Sequence, residues 1–111
     1  MSCLFCKIIA KEIPASIVYE DAKVLAFTDI APQAPVHVLV IPKQHVSSID
    51  DIESVEVVQD LFSVLNKIAR EKGISETGYR VVVNHGKNAG QAVPHLHLHL
   101  LGGRHLSWPP G

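Results

Sequence analysis

The stretch His95-Leu96-His97-Leu98-His99-Leu100-Leu101 alternates a titratable ring with an apolar side chain. Residues two apart on a β-strand share a face and stand about 7 Å apart. The pattern therefore puts His95, His97 and His99 on one face. Leu96, Leu98 and Leu100 go to the other, where they can bury against a helix. Three protonated imidazoles in a row repel, and three buried neutral ones each need a hydrogen-bond partner. A single histidine on an apolar strand is ordinarily a satisfied core residue; three at strict alternation point to chemistry.

The rest of the chain supplies partners for such a strand. Residues 4–11 read as a short helix stopped before Pro14. Ile17–Glu20 and Val24–Asp29 read as strands joined by a tight turn at Asp21-Ala22, and Pro32 and Pro35 mark a loop. Val36–Ile41 alternates, with His37, Leu39 and Ile41 facing one way and Val36, Val38 and Val40 the other. Val57, Val58, Leu61, Leu65, Ile68 and Ala69 follow helical spacing and predict a helix over Ser54–Lys72, with Gly73 just past its end. Tyr79–Asn84 is a Val-rich strand, and a loop from His85 to Gly90 leads to a last strand from about Gln91 to Leu101. Together these predict an α+β fold, an antiparallel sheet of about five strands with one long helix and a short N-terminal helix.

Composition narrows the function. A chain of 111 residues with 47% hydrophobic and 19% charged side chains is expected to pack as one domain. Its net charge is -1 and its basic residues are scattered, which leaves no broad footprint for direct nucleic-acid binding or for an anionic membrane. No apolar run is long enough to span a bilayer. Lys7, Lys11 and Glu12 interrupt the apolar N-terminus, which makes a poor secretory leader, so a cytoplasmic location is expected.

Two chemistries suit the histidine strand. Histidines at i and i+2 can bind a catalytic zinc with a further ligand from elsewhere. Alternatively one neutral imidazole attacks phosphorus, its other ring nitrogen being held by a hydrogen bond. The preceding loop favours the second, because Asn84, Gly86, Gly90 and Gln91 bring two amides and a close-approaching backbone to the histidines. An ordinary hairpin loop would have the same composition. Gly86-Lys87 lacks the spacing and the following Ser or Thr of a Walker loop.

The alternating motif, in full, resembles the histidine triad (HIT) family and specifically its Hint branch. Lys11-Glu12-Ile13-Pro14-Ala15, Ala26-Phe27-Thr28-Asp29-Ile30, Pro32-Gln33-Ala34-Pro35, Ile41-Pro42-Lys43-Gln44-His45, Val82-Val83-Asn84, Gly90-Gln91 and the Trp108-Pro109-Pro110-Gly111 ending carry the same resemblance. It implies a single HIT domain over residues 1–111. It also implies hydrolysis of nucleoside phosphoramidates and aminoacyl-adenylates, AMP or GMP derivatives, with no catalytic metal. His97 would be the nucleophile, and His99 would contact the phosphate and leaving group. His37 would lie behind His97 and complete a hydrogen-bond relay. Asn84, Gln91 and the Val93 main-chain N–H would cradle the phosphate. Asp29 would accept the ribose hydroxyls, and Phe5, Ile8, Phe27 and Ile30 would form the slot for the purine; read without the resemblance, these are a strand-end turn residue and ordinary core. Where many Hint proteins have serine after Gly-Gln, this chain has Ala92, one donor fewer at the leaving group. His85 and His105 read as exposed turn and tail residues.

Cys3-x-x-Cys6 is half of a zinc site by spacing; two buried thiols acting as small hydrophobes would look the same. Zinc-binding branches of the superfamily pair such cysteines with a histidine after the Pro-Lys segment and the first triad histidine. That resemblance implies a structural zinc on Cys3, Cys6, His45 and His95. A homodimer is also expected: Trp108 lies on a proline-rich tail with no partner of its own, and Hint-like relatives join their sheets edge to edge. The competing functions are a nucleotide-binding regulatory or scaffold protein with little turnover and a zinc-dependent hydrolase using the triad as ligands.

Overall fold

A computed structural model describes residues 3–111. The elements run in the order α1 (Leu4–Ile9), β1 (Ile17–Glu20), β2 (Val24–Thr28), β3 (Val36–Pro42), α2 (Val55–Glu71), β4 (Tyr79–Val82) and β5 (Leu98–Gly102), with short 3-10 turns at Ile49–Asp51 and Lys87–Ala89. The five strands form one antiparallel sheet in the order β1-β2-β3-β5-β4. The last strand is thus inserted beside β3, near the middle of the sheet, and β4 takes an edge.

The long helix forms where its periodicity predicts. Ser54 caps its start by accepting from the Glu56 N–H at 3.2 Å. At its end Gly73 N–H donates to Arg70 O and Ile74 N–H to Ala69 O. That pair of bonds is a Schellman stop, with Gly73 at a φ of 75° that a Cβ would disfavour. The helix buries Leu61, Val64, Leu65, Ile68 and Ala69 against Val24, Ala26, Val38, Val40, Leu96, Leu98 and Leu100. On the opposite face a second cluster joins Cys3, Phe5 and Ile8 of the N-terminal segment to Leu25, Phe27, Leu39 and Ile41. The leucines of the alternating motif therefore belong to the helix side and its histidines to the other.

Three boundaries differ from the sequence-based expectation by more than one residue. The first helix ends at Ile9 rather than residue 11, because Lys11 takes a left-handed φ of 65°. β4 ends at Val82, where its ladder with β5 ends at His99. The largest difference is that β5 begins at Leu98, not at Gln91. The register would carry the pairing only to Leu96, opposite Pro42, and Pro94 beyond it has no N–H to donate. Instead the His95 N–H turns back to Val93 O at 2.9 Å and the Leu96 N–H reaches Val46 O at 2.6 Å. His95 and His97 still share the face of His99 but lie outside the regular strand. The tail also has a partner that the sequence did not suggest: the Arg80 guanidinium lies over the Trp108 ring, 5.8 Å from its centroid.

Candidate active site and metal centre

The three histidines share a face but point to three different partners. His97 and His99 lie edge to face, with ring centroids 5.0 Å apart. Phe5 meets His97 and His95 edge-on, at 5.2 and 5.9 Å. His95 and His97 are buried and His99 is half-buried. Because the rings do not converge on one point, the triad is not a three-histidine metal site.

Backbone groups fix the tautomer of each ring. A main-chain carbonyl can only accept and a main-chain N–H can only donate. His97 Nδ1 is 2.7 Å from the His95 carbonyl; the proton of the neutral ring therefore sits on Nδ1, and Nε2 carries the lone pair. His95 Nε2 is 2.8 Å from the Pro42 carbonyl, so its bare nitrogen is Nδ1. His37 Nδ1 accepts from the Gln33 N–H at 3.0 Å, which leaves the proton on Nε2. That proton is donated to His99 Nδ1 at 2.9 Å, and neutral His99 carries its own on Nε2.

His37 is thus the partner of His99, not of His97 as the resemblance implied. The register explains this: His37 stands opposite Leu101 and Leu39 opposite His99, so His37 is one same-face step from His99 and two from His97. Asp29, just past β2, sends one carboxylate oxygen to within 3.5 Å of His37 Nε2 and accepts the Ala31 N–H with the other at 2.8 Å.

Burial holds His37 below the ordinary imidazole range, against the opposing pull of Asp29. Burial also lowers His95. His99 is pushed down to about 4, by burial first and then by the neighbouring His97 and His37. Charging His99 at Nδ1 would also set that proton against the one on His37 Nε2.

Of the expected phosphate-cradling residues, Asn84 is half-buried just beyond β4, and continuing the β4–β5 register carries it to the level of His97. The Gln91 amide is committed elsewhere. Its oxygen accepts the Gly86 N–H at 3.0 Å, and its nitrogen donates to Ser47 O at 2.9 Å and Val93 O at 3.1 Å. Gln91 therefore braces the loop before the triad. Phe5, Ile8 and Phe27 come together as buried core, Phe5 and Phe27 packing edge-to-face at 5.4 Å. Ile30 does not join them; it is fully exposed on the loop after β2. Ala92, His85 and His105 are exposed. The Pro42 carbonyl and the Gln33 N–H escaped sequence reading because any residue type supplies such groups.

A second cluster adjoins the first. The ligand atoms of Cys3, Cys6, His45 and His95 all lie within 4.8 Å of one another. His95 Nδ1 is 3.4 Å from Cys3 Sγ and 3.6 Å from Cys6 Sγ, and His45 Nδ1 is 3.3 Å from Cys6 Sγ. Zinc bonds of about 2.3 Å to sulfur and about 2.0–2.1 Å to nitrogen give tetrahedral edges of about 3.3–3.8 Å, so the set has the size of a Cys2His2 site. Burial and the neighbouring Cys3 hold the Cys6 thiol above its ordinary value, a cost that a bound dication would reverse. Asp29, His37 and His99 are equally close, but the 2.9 Å between the two rings is shorter than any such edge and is a hydrogen bond.

An antiparallel sheet with a helix on one face and an ordered row of histidines on the other defines a histidine triad protein. The chain belongs to the HIT family, whose domain model matches residues 10–106. An uncharacterised HIT-like protein of Synechococcus elongatus is 54% identical over 110 residues, 97% of this chain and 96% of that protein. A 14 kDa zinc-binding protein of Zea mays is 50% identical over 112 residues, 97% of this chain and 87% of the maize protein. The crystal structure of a HIT family hydrolase from Legionella pneumophila superposes with a TM-score of 0.96 at 51% identity, covering 99% of this chain and all of that one.

The lowered His99 and His37 make stability depend on pH. Each binds a proton in the unfolded chain below its ordinary value of 6.5, while folded His99 stays neutral down to about 4. Their contribution is fully present above pH 6.5 and is lost as pH falls toward 4. The urea midpoint should fall between pH 7 and pH 5, and His99→Asn should flatten part of that fall. Equal falls in both proteins would contradict the assignment.

Proposed function

We propose that the chain, as a single HIT domain of the Hint branch, hydrolyses nucleoside 5′-phosphoramidates and aminoacyl-adenylate-like purine nucleotides through a nucleotidyl group carried on His97. The observation that supports this most is the hydrogen bond from His97 Nδ1 to the His95 carbonyl. It leaves Nε2 as a neutral nucleophile that needs no base to activate it.

His97 Nε2 attacks the α-phosphorus. The P–N bond to the leaving group breaks, its bridging nitrogen having taken a proton from solvent, and a neutral amine departs. Water then attacks phosphorus and the bond to Nε2 breaks. Its electron pair returns to the ring, and the water's proton goes to solvent. The His99 Nε2–H, the Asn84 amide and the Val93 main-chain N–H would face the phosphoryl oxygens, while Gln91 acts through the loop it braces. Asp29 would take the ribose hydroxyls. Phe27 and Phe5 would border the base, and the exposed Ile30 side chain would meet it from the loop after β2.

A nucleotide-binding regulator with little turnover is the reading that Ala92 favours, since a methyl group stands where a hydroxyl could assist the leaving group. A turnover assay on adenosine and guanosine phosphoramidates separates the two. His97→Ala should lower kcat by at least ~10³, or ~4 kcal/mol of barrier, while nucleotide binding survives. Rapid-quench mass spectrometry with a slow substrate should find the nucleotidyl group on the His97 peptide. Near-normal turnover of the variant, or an adduct on His95 or His99, would sink the mechanism.

The same proposal includes a structural zinc on Cys3, Cys6, His45 and His95. When bound it would cross-link the N-terminal segment to the triad; four protein ligands close the set, leaving no position for a reacting water. The Pro42 carbonyl orients His95 for this by holding Nε2–H. Metal analysis of protein purified without chelator should give one zinc per chain, and Cys6→Ser should lower the melting temperature by at least ~5 °C. Zinc-free wild-type protein together with an unchanged melting temperature in the variant would refute it.

A cytoplasmic location accords with the two free thiols, and no helix among the described residues is long and apolar enough to cross a membrane. A symmetric homodimer completes the proposal: Trp108 remains 79% exposed beside Arg80, a large apolar surface better covered by a second copy. Sedimentation at micromolar concentration should give a dimer, and a monomer would exclude it.

A further inference from the structure

The loop between β2 and β3 is pinned by a residue outside the histidine cluster. Arg104, two residues past β5, directs Nε and Nη2 at the Gln33 carbonyl, at 3.1 and 2.8 Å, and Nη1 at the His105 carbonyl at 2.8 Å. Beside it Gly103 has a φ of 91°, and a Cβ there would come within 2.9 Å of Pro35; the loop rests directly on the backbone after β5. From within, Asp29 accepts the Ala31 N–H at 2.8 Å and the Gln33 side chain donates to Ala31 O at 2.9 Å. Gln33 is held from both sides, and its N–H is the group that meets His37 Nδ1.

From this geometry we infer that Arg104 is a positioning residue, which through Gln33 and His37 holds His99 as a neutral Nε2–H donor to the substrate rather than as an acid that gives its proton away. The chain of donors runs one way. The Gln33 N–H cannot accept, so His37 presents Nε2–H; His99 Nδ1 must then accept, and only its Nε2–H remains for a ligand. An imidazolium at either ring would set two donors against each other. Without the Arg104 fork the loop relaxes and water replaces the Gln33 N–H at His37. His37 can then carry its proton on Nδ1, and His99 can turn a bare Nε2 toward the phosphoryl oxygens. Arg104 reaches no reacting atom; its effect passes wholly through His99.

The inference rests on the proposed reaction only in its kinetic arm. Nitrogen-15 spectra of histidine-labelled protein read the tautomers without turnover. The wild type should show His99 protonated at Nε2 and bare at Nδ1, and Arg104→Met should give a mixture of the two forms while Arg104→Lys restores part of the wild-type signal. In turnover, Arg104→Met should lower kcat by ~3- to 10-fold, the span of one hydrogen bond, with KM changed less than ~2-fold. In a His99→Ala background the same substitution should have no further effect on kcat. An unchanged His99 tautomer in folded Arg104→Met overturns the inference. So does a kcat loss that adds in full to that of His99→Ala. A wild-type protein with no phosphoramidate turnover defeats the proposed function instead, and the tautomer spectra still decide the role of Arg104.

Discussion

The register between β3 and β5 is the constraint on which the rest depends. Val38 stands opposite Leu100 and Leu39 opposite His99, so one face of the pair is wholly apolar and meets α2. The other must then carry His37 and the three histidines of the motif. A slip of one residue would bury three imidazoles under the helix and expose three leucines. The leucines thereby fix the histidines: burying Leu96, Leu98 and Leu100 leaves the rings no other face. The same register brings His37, from a different strand, to His99 and keeps it from His97.

Much of this was legible in sequence because it follows from periodicity. The period-2 alternation at 95–101 and 36–41 separated the two faces correctly, and the helical spacing from Val57 to Ala69 located α2 within a residue at each end. The resemblance brought Cys3, Cys6, His45 and His95 together across more than ninety positions, and the structure gathers their ligand atoms within 4.8 Å. What failed were inferences about where ladders stop. The Leu96 N–H, which turns to Val46 O, and Pro94, which has no N–H, end the pairing that alternation alone would have carried back to Gln91. The resemblance implied a phosphate ligand at Gln91, but an amide serves equally well as a brace, and here its bonds run to the Gly86, Ser47 and Val93 backbone.

Proton positions are the least legible layer. Of three histidines identical in sequence, His97 carries its proton on Nδ1 and His95 and His99 on Nε2, because each meets a different main-chain group or a histidine held by one. Two of these groups are the carbonyls of Pro42, at the end of β3, and of His95, ahead of β5. Because β5 begins only at Leu98, neither is paired across the β3–β5 ladder, and both are available to orient a ring. The early end of β5, which disagrees with the expected boundary, is therefore part of how the site is built.

His95 shows how closely the two centres are joined. Its ring nitrogen Nδ1 faces the thiols, its Nε2–H is held by Pro42, and its carbonyl accepts from His97. One residue thus belongs to the cysteine cluster through its side chain and to the nucleophile through its backbone. The two bonds act on different atoms, so the carbonyl survives replacement of the ring only if its position does. With Cys3 and Cys6 flanking Phe5, and Phe5 packed edge-on against His97, the N-terminal segment gives that position a second support. Orientation of the nucleophile is therefore a property of the packed N-terminus as much as of the triad. A site with the three histidines alone, lacking that support, would have the right side chains and an uncertain lone pair.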